Sequence, residues 1–259
     1  MGIALTKSGG VAVVVMCRPP VNAFDAATWF RLAETFDSLG RDPEVGAIVL
    51  AADGKGFSAG VDLKEIQQSA ERGSSDGILA ANRGCEAAFS SVYDCPVPVI
   101  AAVHGYCLGG GIGLVGNSDI VVASSDATFG LPEVDRGALG AATHLARLVP
   151  QHKMRAMVYT SATATAAELH AHGSVLTVVE RGALRATALA LASQIAAKNS
   201  VVIRATKRAL NGIDPIDVKR SYRYEQGFTF ELNLAGIGAA ARAAFLDKRA
   251  STHGNVPDA

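Results

Sequence analysis

The chain has 259 residues, with 24 basic and 24 acidic side chains and no formal net charge, and it is 49% hydrophobic and 19% charged. This predicts a substantial packed core and excludes a disordered chain. Zero net charge argues against a nucleic-acid surface, which shows a basic excess, and no apolar run reaches the ~18 residues of a membrane span.

Residues 3–7 and 11–16 (VAVVVM), joined by Ser8-Gly9-Gly10, read as a β-hairpin. MGIALT formally matches a myristoylation pattern, but its text already belongs to the first strand. RPPVNAF is a loop, and Asp25 caps a helix predicted to run to about Leu39. EVGAIVLAA (44–52) is a buried strand and DGKG a turn, after which FSAGVDLKEI starts extended and becomes helical. A helix fills 76–94, Pro96 and Pro98 stop it, and VPVIAAV (97–103) is a second buried strand. A glycine-rich turn follows, HGYCLGGGIGL, then the strand DIVVAS (119–124) and a short loop, ATFGLPEV. From about Leu139 nearly all the text reads as helix. Strands alternating with helices and lacking polar faces predict a sheet covered on both sides, in an α/β core spanning 1–195 with a helical region over 196–259. Cys17, Cys85, Cys95 and Cys107 show no Cys-x-x-Cys spacing. A chain of this size needs no disulfide staples, so a reducing cytoplasm is expected.

The glycines admit three readings. Gly111-x-Gly113-x-x-Gly116 after a strand matches the dinucleotide fingerprint, with Asp126 as a candidate ribose-binding acid. Only Asn117 and Ser118 separate Gly116 from the next strand, too few for the crossover of a dinucleotide-binding unit. The second reading is an oxyanion hole: unpaired backbone N–H groups at a strand-to-helix turn, assisted by the helix dipole, with a second donor from FSAGVD (57–62). The third is that both segments are merely tight turns.

GKGFSAGVDLKEI, HGYCLGGGIGL and DATFGLPEV, in that order, with RPPVNAF before them and AFLDKR after, resemble the enoyl-CoA hydratase/isomerase (crotonase) superfamily over essentially the whole chain. The resemblance implies a spiral fold of ββα units with two roughly perpendicular sheets. It also implies a C-terminal helical trimerisation layer, hence a homotrimer or a hexamer, and an acyl-CoA substrate. Coenzyme A then arrives as part of the substrate, with no permanently bound cofactor or metal. By motif, the thioester oxygen would accept from the N–H groups of Val61 and Gly110. CoA and substrate would lie along Val21, Ala23, Phe57, Ala59, Asp62, Leu63 and Gly109, with Phe245 and Lys248 at the nucleotide end.

The acids near the hole choose the reaction. Hydratases of the family carry one glutamate where this chain has Gly113 and a second where it has Glu133, so a mechanism using two glutamates is in doubt. Glu133 is the principal catalytic candidate. Asp135 would point the same way if the segment is extended, or pair with Arg136. His144 is a candidate proton donor or a satisfied structural histidine. Glu231, in GFTFELNLAG, has apolar neighbours that suggest partial burial and a raised pKa, or else a buried ion pair. His104 more simply bonds backbone. His170 and His172, two apart, face different directions on a helix and make no metal site.

GIGLVGNSDI, GLPEVDRGALGAATHLARLVPQH and YRYEQGFTFELN resemble an actinobacterial branch of the superfamily that hydrolytically opens a ring of a bicyclic, steroid-derived indene-carboxyl-CoA. The alternatives are a hydratase or double-bond isomerase using one glutamate, and a non-catalytic CoA-ester binding or scaffold protein.

Overall fold

The computed structural model describes residues 2–253, with side chains described through Asp247. In chain order the elements begin β1 (Ile3–Ser8), β2 (Val11–Met16), β3 (Ala23–Phe24), α1 (Ala26–Arg41), β4 (Ala47–Ala52), β5 (Gly60–Val61), α2 (Leu63–Glu71) and α3 (Asp76–Tyr93). Next come β6 (Val99–Val103), β7 (Tyr106–Leu108), α4 (Gly110–Asn117), β8 (Ile120–Ser124) and β9 (Thr128–Gly130). After a 3₁₀ turn at Pro132–Arg136 follow α5 (Ala142–Leu145), α6 (Gln151–Thr160), β10 (Thr163–Thr165), α7 (Ala166–Ala171) and β11 (Thr177–Val179). The last four helices are α8 (Leu184–Ala196), α9 (Ser200–Gly212), α10 (Val218–Leu234) and α11 (Ile237–His253).

The main sheet has the order β1-β2-β4-β6-β8-β11. Its first pair is antiparallel and the others are parallel. β2 and β4 are apolar throughout because both faces are covered. Ala12, Val14, Met16, Ile48 and Leu50 face a core shared with Trp29, Phe36 and Phe89. Val11, Val13, Val15, Ala47 and Val49 face the opposite way, onto α8. The period of two along each strand thus divides one apolar run between two cores.

Each spiral turn also contributes a short strand to a second layer, where β3 pairs with β5 and β9 lies between β7 and β10. A Ser58–Cys107 bridge joins the two groups. The Asp25 side chain caps α1 by accepting from Thr28 N–H, as its sequence position predicts. Two strands depart from the helical reading of the last third. β10 and β11 have three residues each, and their edge pairing with β9 and β8, rather than sequence periodicity, makes them strands. α10 and α11 fold back over the 132–140 segment and α2, so the C-terminal helices close over the core.

Candidate active site

A cavity of about 870 Å³ opens between the two glycine turns, the 132–141 segment and the C-terminal helices. Asp62 N–H donates to Phe24 O at 2.8 Å, in register with the Phe24–Val61 pairing. Alternation along the strand therefore turns the Val61 N–H away from β3. Ser58, fully buried, sets this turn: its hydroxyl donates to Asn22 O at 2.8 Å and accepts from Gly60 N–H at 3.0 Å. Gly110 is the first residue of α4, where N–H groups lack intrahelical acceptors. The turns meet because Gly60 has no side chain: at φ +87°, a Cβ there would stand 2.8 Å from Gly110 N. Val61 and Gly110 both line the cavity, with the Trp29 ring as the wall behind Gly110. The arrangement is two main-chain donors on rigid turns beside one space.

Glu133 enters the same space. Its Oε1 stands over Gly109, so close that a Cβ there would collide with it, and Gly140 packs on its Cγ. Its Oε2 is buried with no hydrogen-bond partner among the described residues. Burial dominates its titration and pushes the carboxyl from 4.5 up to about 8, with the Glu225 carboxylate adding a smaller push and Arg136 opposing it. Glu133 is therefore a proton carrier poised near neutrality.

Among the described residues, the other acid that lines the cavity is Asp62, which pairs with Arg18 at 3.4 Å. Gly113 faces the Phe89 ring, and a side chain there would have to displace that ring. Phe89 forms an aromatic cluster with Trp29, His144 and Tyr222 at centroid distances of 4.9–5.6 Å.

Three candidates from the sequence are placed differently by the structure. Asp135 is exposed, because residues 132–136 form a 3₁₀ turn rather than extended chain, and positions two apart on such a turn point different ways. His144 lies in the layer behind the cavity, packed on Phe89 and Tyr222, with both ring nitrogens buried and unpartnered among the described residues. Burial, assisted by the Arg147 charge, lowers it to about 3, so it is a neutral packed ring rather than a proton donor. Glu231 is exposed on α10 and does not line the cavity; its apolar neighbours occupy other faces of the helix.

Of the expected CoA contacts, Val21, Ala23, Ala59, Asp62, Leu63, Gly109 and Phe245 line the cavity. Phe57 does not, since it is fully buried in the main core. Lys248 lies on α11 outside the residues whose side chains are described. His104 contacts Gly54 O at 3.2 Å and His170 contacts Val175 O at 2.9 Å, both backbone attachments.

Glu225 is absent from the sequence reading. It is buried and accepts from Ala142 N–H at 2.8 Å, Thr143 N–H at 3.1 Å and the Thr143 hydroxyl at 3.0 Å, tying α10 to the start of α5. Beside it, Thr229 exchanges hydrogen bonds with the backbone of Leu139. Together they fix the segment that carries Gly140 onto Glu133. Nothing in the local text marks Glu225, because the N–H and O–H groups that donate to it lie some eighty residues earlier in the chain.

The chain matches the enoyl-CoA hydratase/isomerase family model over residues 6–249. It is 56% identical to the (7aS)-7a-methyl-1,5-dioxo-2,3,5,6,7,7a-hexahydro-1H-indene-carboxyl-CoA hydrolase of Rhodococcus jostii, over 95% of each chain. It is equally similar, at 56%, to the protein of the same name from Mycobacterium tuberculosis, over 94% of this chain and 97% of that one. Its fold superposes on an enoyl-CoA hydratase/isomerase crystal structure from Xanthobacter autotrophicus with a TM-score of 0.84 and 28% identity, covering 95% of this chain and 92% of the other.

Proposed function

The chain belongs to the enoyl-CoA hydratase/isomerase family, and from that premise we propose that it hydrolyses a carbon–carbon bond in the ring of a bicyclic, steroid-derived indene-carboxyl-CoA. The observation that carries this reading is the raised, buried carboxyl of Glu133 beside a two-amide hole, with no carboxylate at the Gly113 position. A hydratase holding water between two glutamates has no place for its second carboxylate, because the Phe89 ring fills the space beside Gly113.

In the proposed reaction the Glu133 carboxylate takes a proton from water, and the hydroxide adds to a ring ketone carbon. The bond from that carbon to its ring neighbour breaks. Its electron pair passes into the conjugated system and ends as an enolate on the thioester oxygen, held by Val61 N–H and Gly110 N–H. The protonated Glu133 then returns its proton to carbon. One water is consumed, the ketone carbon becomes a carboxylate, and the thioester survives. A single group serves as base and acid, consistent with the inaccessibility of His144 and the exposure of Glu231. The amides meet charge that exists only late in the reaction, where binding accelerates it, by roughly 3 kcal/mol per donor.

The assembly and setting belong to the same reading. A trimer or hexamer accords with apolar side chains exposed on α9 and α10, among them Val201, Val202, Leu210, Tyr224 and Leu234. Four free cysteines accord with a reducing cytoplasm, and among the described residues no single helix is long and apolar enough to cross a membrane.

The test is mass spectrometry of the indene-carboxyl-CoA after incubation. The expected product is heavier by one water and still a CoA thioester, and Glu133→Gln fails to form it. Release of free CoA thiol, or turnover by the Gln variant at the unaltered rate, would overturn the reading.

A further inference from the structure

The cavity wall carries a charge that the proposed reaction has not yet used. Arg242, on α11, is 3% exposed and lines the cavity. It has no hydrogen bond or ion pair among the described residues, and its Nε is buried without a partner. The other lining cations are differently placed. Arg18 pairs with Asp25 at 2.9 Å and Asp62 at 3.4 Å, Arg136 donates to Pro132 O and lies 4.2 Å over the Phe245 ring, and Lys64 is exposed.

A buried guanidinium without a counter-ion is costly, since desolvation penalises its charged form and no acid among the described residues compensates. Its position indicates what would offset that cost. The Nη1 end folds back along α11 toward Gly238, beside Asn233. Asn233 bonds Thr229 O, and Thr229 exchanges hydrogen bonds with Leu139, the neighbour of the Gly140 that packs on Glu133. Arg242 thus lies on the part of α11 that packs, at Gly238 and Ala241, against Gly137 of the segment carrying Glu133. Asn82, another lining residue, also leaves its Nδ2 buried without a partner.

We propose that Arg242 is a substrate-binding residue that receives a carboxylate on the acyl group, the group that hydrolytic ring opening creates from a neutral ketone. The idea rests on the ring-opening reading for the origin of that carboxylate. The planar guanidinium presents paired N–H donors to both carboxylate oxygens, a match that a ketone engages only in part. Arg242 would therefore favour the product side of the reaction and select acyl groups bearing a distal oxyanion.

The probes are adipoyl-CoA and hexanoyl-CoA, which differ by a terminal carboxylate, with binding measured by calorimetry on the full chain. The unaltered protein is expected to bind adipoyl-CoA at least about tenfold more tightly, the scale of a charge-assisted pair. Arg242→Met should abolish that preference while changing hexanoyl-CoA affinity less than about threefold, which also reports an intact fold. Arg242→Lys should keep part of the preference. Equal affinities in the unaltered protein would overturn the proposal. So would an equal loss of both ligands in Arg242→Met, which would assign the guanidinium to a CoA phosphate or to packing. The binding result is independent of turnover. If the indene ester is not opened but the adipoyl preference and its loss persist, the reaction is wrong and the carboxylate site stands.

Discussion

Glu133 sets a pH dependence that follows directly from its surroundings. Burial raises its carboxyl from 4.5 to about 8, so at pH 7 roughly a tenth of the molecules hold the carboxylate that takes a proton from water. Ring-opening kcat/KM should climb nearly tenfold per pH unit from pH 5 to 7 and level off above about 8. Stability moves the opposite way. The folded state holds this proton more tightly than the unfolded chain, so the contribution is fully present below 4.5 and is lost as pH rises through about 8. A gap of about 3.5 pH units at ~1.36 kcal/mol each gives about 5 kcal/mol, an upper bound because the side chain keeps one partly exposed face. Urea unfolding of Glu133→Gln should therefore match the unaltered protein near pH 4.5 and exceed it at pH 9 by up to that amount. A flat rate profile from pH 5 to 9, with stability differences that do not change with pH, would refute both the burial argument and the role of Glu133 as base.

Other outcomes follow from the same geometry. Gly109→Ala places a Cβ against Glu133 Oε1 at a φ of +56°. It should cost about 1 kcal/mol of stability in denaturant titrations, yet reduce kcat about a hundredfold by moving the base. Glu225→Gln removes the negative charge that helps raise Glu133, so the acid limb of the rate profile should shift to lower pH; an unmoved limb would uncouple the two residues. Gly113→Glu should not create a hydratase. Its side chain meets the Phe89 ring, so about 1–3 kcal/mol of stability should be lost in urea with no gain of crotonyl-CoA hydration by absorbance.

Much of this architecture is legible in the sequence because it depends on local physics. The apolar runs of β2, β4 and β6 announce a sheet buried on both faces, and Asp25 announces a cap. The spacing from Gly116 to the next strand excludes a dinucleotide crossover before any coordinates are seen. The glycines at 60, 109 and 110 mark turns that come close together, and Glu133 follows from its GLPE context. What escapes depends on contacts distant in sequence. Asp135 stays a lesser candidate beside Glu133 until the 3₁₀ turn separates them. His144 reads as a chemical group, but Gly116 and the Phe89–Tyr222 rings seal it behind the wall. Glu225 and Arg242 sit in helical text that resembles solvated surface, YRYEQGF and GAAARAAF. Only the folding of α10 and α11 onto the 132–142 segment buries them. Phe57 errs in the other direction: its motif suggests a ligand contact, whereas the main core claims the ring.

The measurement closest to the centre of this account is the carbonyl stretch of a bound CoA ester carrying ¹³C at the thioester carbon, read by isotope-edited infrared spectroscopy. Two main-chain N–H groups, at Val61 and Gly110, should polarise that carbonyl and move its band to lower frequency than in free solution, in the unaltered protein and in Glu133→Gln alike. A bound ester whose carbonyl band stays at its solution frequency would contradict the account.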